Sequence, residues 1–147
     1  MKTQLLIILF TPLLYLMVLL CGLSGSVPNS SPPPVTYKGI AEGDVIIGEL
    51  TYYCACPKCN GKWAGITADG TVLDQNTKPI ASANWLPLGT VVEIGGRQYR
   101  VADRGGKSLD RIGRLDIYVP EGHQAALDAG LRQGIEIVII SLPGGVK

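Results

Sequence analysis

Short runs of alternating apolar and polar residues, most of them bounded by glycine or proline, constrain the fold of this chain more than any other feature. In residues 114–119 one face carries the apolar side chains Leu115, Ile117 and Val119, and the other carries Arg114, Asp116 and Tyr118. An alternation with a period of two predicts a half-buried β-strand. Strand-like runs also occur at residues 45–53, 91–94, 97–101 and 135–141. The pattern predicts a mainly β domain.

The first 26 residues are predicted to be a signal peptide or a membrane anchor. Residues 5–23 form a nearly unbroken apolar run, and Lys2 precedes it. A positive charge before such a run predicts export of the rest of the chain. Residues 27–37 contain three consecutive prolines and predict a semi-rigid linker. We therefore expect a domain at residues 38–142, a tail at 143–147, and a location outside the cytoplasm, at the cell surface or anchored to the membrane.

The charge balance excludes one broad class of partner. The net charge is +1, and no run of Lys or Arg forms a basic stripe. Nucleic acid is therefore not an expected partner. The segment predicted to fold has a little over a hundred residues, which is roughly the size of one small domain with a single core.

One short helix is predicted at residues 120–130. Pro120 suits the first helical position, Glu121 suits the first turn, and Gly130 lies where a C-terminal cap belongs. His123 falls in the first turn of this helix. We interpret it as a surface residue and leave it out of the catalytic set.

Two aspartates lie at positions that a solvated loop does not explain. Asp116 is expected on the strand face that points away from the core. Asp103 shares a face with Tyr99 and Val101, so it is expected to lean inward, under the turn made by Gly105 and its neighbour. Such a pair suits a catalytic carboxyl group with a supporting group. The same spacing also suits a turn-stabilising aspartate and an ordinary surface charge.

Three cysteines lie close together in a loop after the strand at residues 45–53. Cys54, Cys56 and Cys59 could hold a metal ion if a fourth ligand, such as His123 or a carboxylate, completes the site. In an exported chain two of them could instead form a disulfide and leave one free thiol. The sequence leaves both alternatives open, and neither assigns the cysteines a catalytic role.

Several motifs together resemble the 3D (Asp-Asp-Asp) domain, in the order that family shows. They are the segments at residues 52–59, 61–63 and 65–70, then IA at 80–81, LPLGT at 86–90, DRGG at 103–106 and RLDIY at 114–118. The family belongs to the double-psi β-barrel group, with the membrane-bound lytic transglycosylases and rare lipoprotein A. The resemblance implies a small six-stranded double-psi β-barrel. It also implies cleavage of peptidoglycan glycan strands without a required cofactor.

The resemblance also implies roles for individual residues. Asp116 corresponds to the general acid and base, and Asp103 to a supporting aspartate. Expected substrate-binding residues are Thr67, Asn84, Arg104 and Tyr118. The aromatic residues Trp63, Trp85, Tyr52 and Tyr118 are candidates for stacking on sugar rings.

One departure from the family motif leaves a second function open. The family's first aspartate is missing, because residues 82–85 contain no carboxylate, although Asp110 could replace it. The alternative to an enzyme is therefore a barrel that binds cell-wall glycan without cleaving it.

Overall fold

Six strands close into a barrel in the computed structural model, which describes residues 36–144. The strands are β1 Thr36–Tyr37, β2 Ile40–Ala41, β3 Val45–Tyr53, β4 Ile80–Ser82, β5 Val91–Ile94, β6 Arg97–Asp103, β7 Arg114–Tyr118 and β8 Arg132–Ser141. The helices are α1 Pro57–Asn60 and α2 His123–Ala129, with 3-10 turns at Gly61–Trp63 and Lys107–Asp110. Strands β1 and β2 form a separate two-stranded sheet.

The barrel mixes parallel and antiparallel neighbours. Its strand order is β3-β7-β4-β6-β5-β8. The pairs β3–β7 and β4–β6 are parallel, and the remaining neighbours are antiparallel. Parallel neighbours cannot be joined by a tight hairpin, and other strands lie between them in the chain. The longest connection between consecutive strands is the segment from β3 to β4, which are not paired with each other. The prediction of a mainly β, six-stranded barrel is confirmed.

Helix α2 is shorter than the sequence predicts, and α1 is a second helix. Helix α2 begins at His123 because Gly122 has a φ of 102°, which is far from a helical value. It ends where expected, since Gly130 has a positive φ of 64° and its N–H bonds to Leu127. Pro57 opens α1, which is too short for the periodicity that identifies helices in a sequence.

Alternate residues of each strand fill the barrel interior. The buried interior residues include Leu50, Ala81, Val92, Val101, Leu115, Ile117, Ile137 and Ile139. Burying each large aliphatic side chain contributes about 1.5–3 kcal/mol relative to leaving it exposed. This interior therefore supplies most of the hydrophobic stabilisation of the barrel.

A second buried cluster lies on the opposite face of the same strands. It consists of Tyr53, Leu73, Ile80, Ala102 and Tyr118, which we call the outer cluster. Side chains alternate along a strand, so a residue next to an interior residue points outward. This applies to Ile80, Ala102 and Tyr118, which are next to interior residues in the chain. Leu73 comes from the connection at residues 54–79. That connection therefore covers one side of the barrel instead of leaving it open to solvent.

Two glycines, Gly48 and Gly113, allow two backbone segments of the barrel to lie unusually close together. A Cβ atom on Gly48 would lie 2.0 Å from the carbonyl oxygen of Gly113 and 2.6 Å from Ile137 Cδ1. The pairing of β3 with β8 shifts register beside Gly48, and the Glu49 N–H donates to Gly113 O at 2.8 Å. A side chain at position 48 would push these backbones apart.

The predicted anchor or signal peptide at residues 1–26 and most of the predicted linker lie outside the described residues. Within residues 36–144, no helix combines the length and the apolar character that crossing a bilayer requires.

Candidate functional site

Four polar residues lie side by side on four adjacent strands, and we call them the polar row. Thr51 on β3 is opposite Asp116 on β7, which is opposite Ser82 on β4, which is opposite Asp103 on β6. Directly opposed residues in a sheet point to the same face. The row therefore brings both predicted catalytic aspartates to one side of the barrel, with a single serine between them.

A β-bulge places Asp103 in this row. Ala81 pairs with Val101, but the next residue of β4, Ser82, pairs with Asp103, so β6 has one extra residue at this point. Bulges of this kind redirect a side chain and are common beside active sites. The sequence predicts that Asp103 leans inward with Val101. The structure instead places it beside Ser82, half-buried at the wall of a groove.

Asp116 lies in a setting that favours its protonated form. The side chain is half-buried, and its Oδ1 atom is buried without a hydrogen-bond partner among residues 36–144. Burial raises the pKa of Asp116 from 3.8 to about 6, and the negative charge of Asp103 also raises it. The Thr51 hydroxyl and the Arg114 charge oppose this shift. A carboxyl group with this pKa is about half protonated at pH 6 and about one-tenth protonated at pH 7, so it can act as a general acid.

Two more buried polar atoms lie near the aspartates. The hydroxyl groups of Tyr53 and Ser82 are buried and have no hydrogen-bond partner among the described residues. Burial is the main cause of a raised Tyr53 pKa, followed by the charge and the close approach of the Asp103 carboxylate and then by the charge of Asp116. A buried polar group without a partner costs about 1–3 kcal/mol. Several such groups in one place are therefore more characteristic of a functional site than of a packed core.

Backbone hydrogen bonds fix the orientation of Asp103. Its Oδ1 atom accepts the N–H of Ala68 at 2.9 Å and the N–H of Arg104 at 2.8 Å. The first bond joins the end of β6 to the connection at residues 54–79. Asp103 thus contributes to holding that connection beside the polar row, together with the bond from the Asp69 N–H to Ala102 O.

A cleft of about 620 Å³ runs past Asp103, and we call this cleft the groove. Its lining includes Cys59, Trp63, Thr67, Asp103 and Arg104. Trp63 is 65% exposed, and it is the most exposed aromatic side chain among the four considered for stacking. Asp116 does not line the groove and lies two strands away from Asp103 in the polar row. The arrangement suits an extended ligand that lies along Trp63 and Asp103.

Two predicted substrate-binding residues, Thr67 and Arg104, line the groove. Thr67 is buried, and its hydroxyl donates to Asp69 Oδ1 at 2.7 Å and accepts the Thr71 N–H at 3.0 Å. That hydroxyl therefore stabilises its own loop. Arg104 is exposed, and its guanidinium group donates to Ala83 O. Its remaining N–H donors can reach a ligand in the groove.

Asn84, also predicted to bind substrate, stabilises the turn after Asp103. Its Nδ2 atom donates to Gly105 O at 3.0 Å and to Asp110 Oδ1 at 2.7 Å, and its Oδ1 atom accepts the Gly105 N–H at 3.0 Å. Asn84 faces a separate pocket beside Asp110. The structure thus places Asp110 against Asn84, and Asp110 is not part of the polar row.

Two of the aromatic candidates are enclosed. Tyr118 belongs to the outer cluster, is 7% exposed, and donates its hydroxyl to Asp74 O at 3.1 Å. Trp85 is 3% exposed and donates from Nε1 to Arg114 O at 2.7 Å. Neither ring presents a face to a ligand. The sequence places Tyr118 on the correct face of β7 but gives no sign that residues 54–79 cover it.

The three cysteines and His123 lie together, and we call them the Cys-His cluster. Cys54 Sγ lies 3.5 Å from Cys59 Sγ, and His123 Nδ1 lies 3.6 Å from Cys56 Sγ and 3.4 Å from Cys59 Sγ. The four ligand atoms all lie within 4.8 Å of one another. All three cysteines are free thiols in the structure. The four residues are close enough to bind a metal ion. The interpretation of His123 as an isolated surface residue is therefore incomplete.

Comparisons with known proteins give only a fold-level similarity. No family model matches the chain, and no curated protein sequence matches it. Among solved structures the chain is similar to the Streptomyces papain inhibitor (SPI), with 21% sequence identity and a TM-score of 0.45. The match covers 68% of this chain and 97% of that one. It concerns the barrel and assigns neither an activity nor a ligand to this protein.

Proposed function

We propose that this protein cleaves glycosyl bonds of peptidoglycan outside the cytoplasm, in the manner of a lytic transglycosylase. The observation that carries the proposal is the polar row, in which a carboxyl group with a pKa of about 6 lies in line with a second aspartate beside an open groove. The motif resemblance to the 3D domain supports the same reaction.

In the proposed reaction Asp116 acts first as an acid. Its proton passes to the glycosidic oxygen as the bond between C1 of N-acetylmuramic acid and that oxygen breaks. The carboxylate that remains then takes the proton of the muramic 6-hydroxyl, whose oxygen bonds to C1 and closes a 1,6-anhydro ring. The proton returns to Asp116, and no water is consumed. A single carboxyl group therefore suffices, in contrast to the pair used by most glycosidases.

Asp103 supports this reaction in two ways. Its charge raises the pKa of Asp116, which helps to hold the proton before the bond breaks. It also lines the groove, where a carboxylate can stabilise the positive charge that develops on the sugar ring. The two backbone hydrogen bonds to its Oδ1 atom keep it in place for both roles.

The groove is the proposed site for part of the glycan strand, and the bond to be cleaved would lie beyond Asp103, toward Asp116, because Asp116 does not line the groove. Trp63 offers an exposed ring for stacking, and Arg104 offers N–H donors on the same surface. In this proposal the predicted N-terminal anchor at residues 5–23 and its linker hold the domain near the cell wall.

The second candidate function is glycan binding without cleavage. Two observations favour it: residues 82–85 contain no carboxylate, and Asp116 does not line the groove. Trp63 and Arg104 would serve a binding module equally well.

Product analysis separates the two functions. Purified full-length protein is incubated with isolated peptidoglycan, and the soluble products are examined by mass spectrometry for 1,6-anhydro and for reducing ends. Anhydro ends are expected from the proposed enzyme. Co-sedimentation with peptidoglycan and no new ends of either kind would establish the binding module and overturn the enzyme.

A further inference from the structure

We propose that Cys54, Cys56, Cys59 and His123 form a closed tetrahedral zinc site that holds one wall of the groove in place. The proposal does not depend on the reaction carried out in the groove. It rests on the spacing of the four ligand atoms, on the hydrogen bonds that shape the loop around them, and on where that loop leads.

The spacing matches a tetrahedron of zinc ligands. Bond lengths of about 2.3 Å to sulfur and about 2.0–2.1 Å to nitrogen give edges of about 3.8 Å between sulfurs and about 3.5 Å between sulfur and nitrogen. Two of the sulfur–nitrogen distances are 3.4 and 3.6 Å, the distance from Cys54 Sγ to Cys59 Sγ is 3.5 Å, and the remaining pairs lie within 4.8 Å. A disulfide would need sulfurs about 2.05 Å apart.

The ligand chemistry points to a metal of zinc type. Thiolate and imidazole groups together select zinc over the oxygen-seeking ions calcium and magnesium. With four protein ligands the site has no position left for water or substrate, which is the arrangement of structural sites. A Cys–His nucleophilic pair would use one thiol and one imidazole, whereas here three sulfurs and one nitrogen converge. Cys56 and Cys59 are half-exposed and share His123 Nδ1, and Cys54 is 2% exposed.

The backbone shapes the loop independently of any metal. Pro57 opens α1, and the N–H groups of Cys59 and Asn60 both donate to Cys56 O at 3.1 Å. Asn60 Nδ2 also donates to Cys54 O at 2.9 Å. These bonds direct the three cysteine side chains to one point. The turn at Gly122, with a φ of 102° that favours glycine, brings His123 to the same point from α2.

The site links the end of β3, α1 and the start of α2. Cys59, Asn60 and Trp63 lie on this loop and also line the groove. Few apolar contacts hold this segment, because α1 and the following 3-10 turn contain no buried residue. Metal binding would therefore replace the missing core as the constraint on Trp63. Loss of the metal should loosen this wall and leave the barrel folded.

The first test is metal content. The full chain carries Cys21→Ser so that only the three cluster thiols remain. It is purified after expression with zinc, and metal is measured by mass spectrometry together with thiol titration. We expect about one zinc per chain and three thiols that react only after chelation or unfolding. Two oxidised cysteines with no metal would overturn the proposal in favour of a disulfide, and three free thiols with no metal would overturn it as well.

Cobalt substitution reports on the geometry. Co²⁺ in a tetrahedral site with several thiolates gives intense visible absorption, whereas octahedral Co²⁺ absorbs weakly. We expect the intense spectrum in the otherwise unmodified Cys21→Ser chain. A weak octahedral spectrum at full cobalt occupancy would contradict the proposed ligand set.

Ligand variants complete the test. Cys59→Ser and His123→Asn should each weaken zinc binding at least about tenfold. His123→Cys should give a tetrahedral site with four thiolate ligands, and its cobalt form should show stronger thiolate-to-cobalt absorption. Glu121→Gln, two residues from His123 and outside the cluster, is the matched control. The proposal fails if His123→Asn binds zinc as tightly as Glu121→Gln. Trp63 fluorescence should change on chelation in the control variant, because Trp63 lies on the loop that the metal holds.

Discussion

Asp103 and Asp116 both lie opposite Ser82, one from each of the two strands that flank β4. Neighbouring strands are about 4.8 Å apart, so the two backbones are separated by roughly 9–10 Å. At this separation, inside a partly buried site, the charge of one aspartate still raises the pKa of the other. The pKa of Asp116 is therefore raised mainly by burial and in smaller part by the charge of Asp103.

Asp116→Asn should stabilise the protein at high pH. The pKa of Asp116 is about 6 in the folded protein and 3.8 ordinarily, so between about pH 4 and 6 the folded state retains a proton that the unfolded chain releases. The contribution of this group to the free energy of unfolding is therefore greatest at low pH. It falls by at most about 3 kcal/mol as the pH rises through 6. Urea unfolding should show Asp116→Asn to be more stable than wild type at pH 8 and equal to it near pH 4.

The matched control for this experiment is Asp128→Asn on the exposed side of α2, which should show no such difference between the two pH values. Equal stability of wild type and Asp116→Asn at pH 8 would contradict the burial of an ionisable carboxyl group at this position.

Asp103→Asn should shift the pH–activity profile of the proposed reaction. Asparagine keeps an oxygen that can accept the N–H groups of Ala68 and Arg104, so the loop should stay in place. It removes the charge that helps to raise the pKa of Asp116. We expect the alkaline limb of the pH–activity profile, where the general acid loses its proton, to shift to lower pH.

Asp103→Ala tests the other role of this residue. Loss of two partly exposed hydrogen bonds should lower the free energy of unfolding by about 1–2 kcal/mol. An unchanged pH profile in Asp103→Asn, with the fold intact, would show that the two carboxyl groups do not interact.

Gly48→Ala should destabilise the barrel strongly. The new Cβ atom would lie 2.0 Å from a backbone oxygen, which cannot move away as a flexible side chain could. We expect a loss of about 3 kcal/mol or more. Gly106→Ala is the control, since nothing lies within 4 Å of its Cβ position and its φ is −65°. Chemical denaturation should leave the control within about 0.5–1 kcal/mol of wild type. Similar stabilities of the two variants would show that β3 and residue 113 are not in close contact.

Trp63→Ala should weaken glycan binding without affecting the fold. The ring is 65% exposed and has no part in the core, so its removal should change stability by less than about 0.5 kcal/mol. Loss of stacking worth about 0.5–1.5 kcal/mol should weaken binding to purified glycan strands roughly two- to tenfold. Trp63→Phe should retain part of the affinity. Unchanged binding by Trp63→Ala would place the glycan elsewhere on the surface.

The strands could be predicted from sequence, and the site only in part. Alternation in residues 114–118 and the glycine pair after Ile94 identify β7 and the β5–β6 hairpin because each pattern follows from local backbone geometry. The bulge before Asp103 leaves no such pattern, since it depends on how β4 and β6 pair. The burial of Tyr118 depends on residues 54–79, which have no periodicity and pack only through tertiary contacts.

The proximity of His123 to the three cysteines could be predicted only as one of several possibilities. The sequence indicates that three cysteines need a fourth ligand, but nothing in the spacing of 64 residues between Cys59 and His123 shows that they meet. Asn84 is a similar case. Its amide group suits ligand binding, and only the three-dimensional structure shows that it is used to hold the turn after Asp103.

In the proposed reaction Asp116 supplies the proton for glycan cleavage. The most direct test is the rate at which purified Asp116→Asn and wild type release 1,6-anhydro ends from the same peptidoglycan, with circular dichroism to confirm that both are folded. Loss of general acid–base catalysis typically costs about 10²–10⁴-fold in rate, so the variant should fall by at least about a hundredfold. Release of anhydro ends at the wild-type rate by a folded Asp116→Asn protein would contradict the claim.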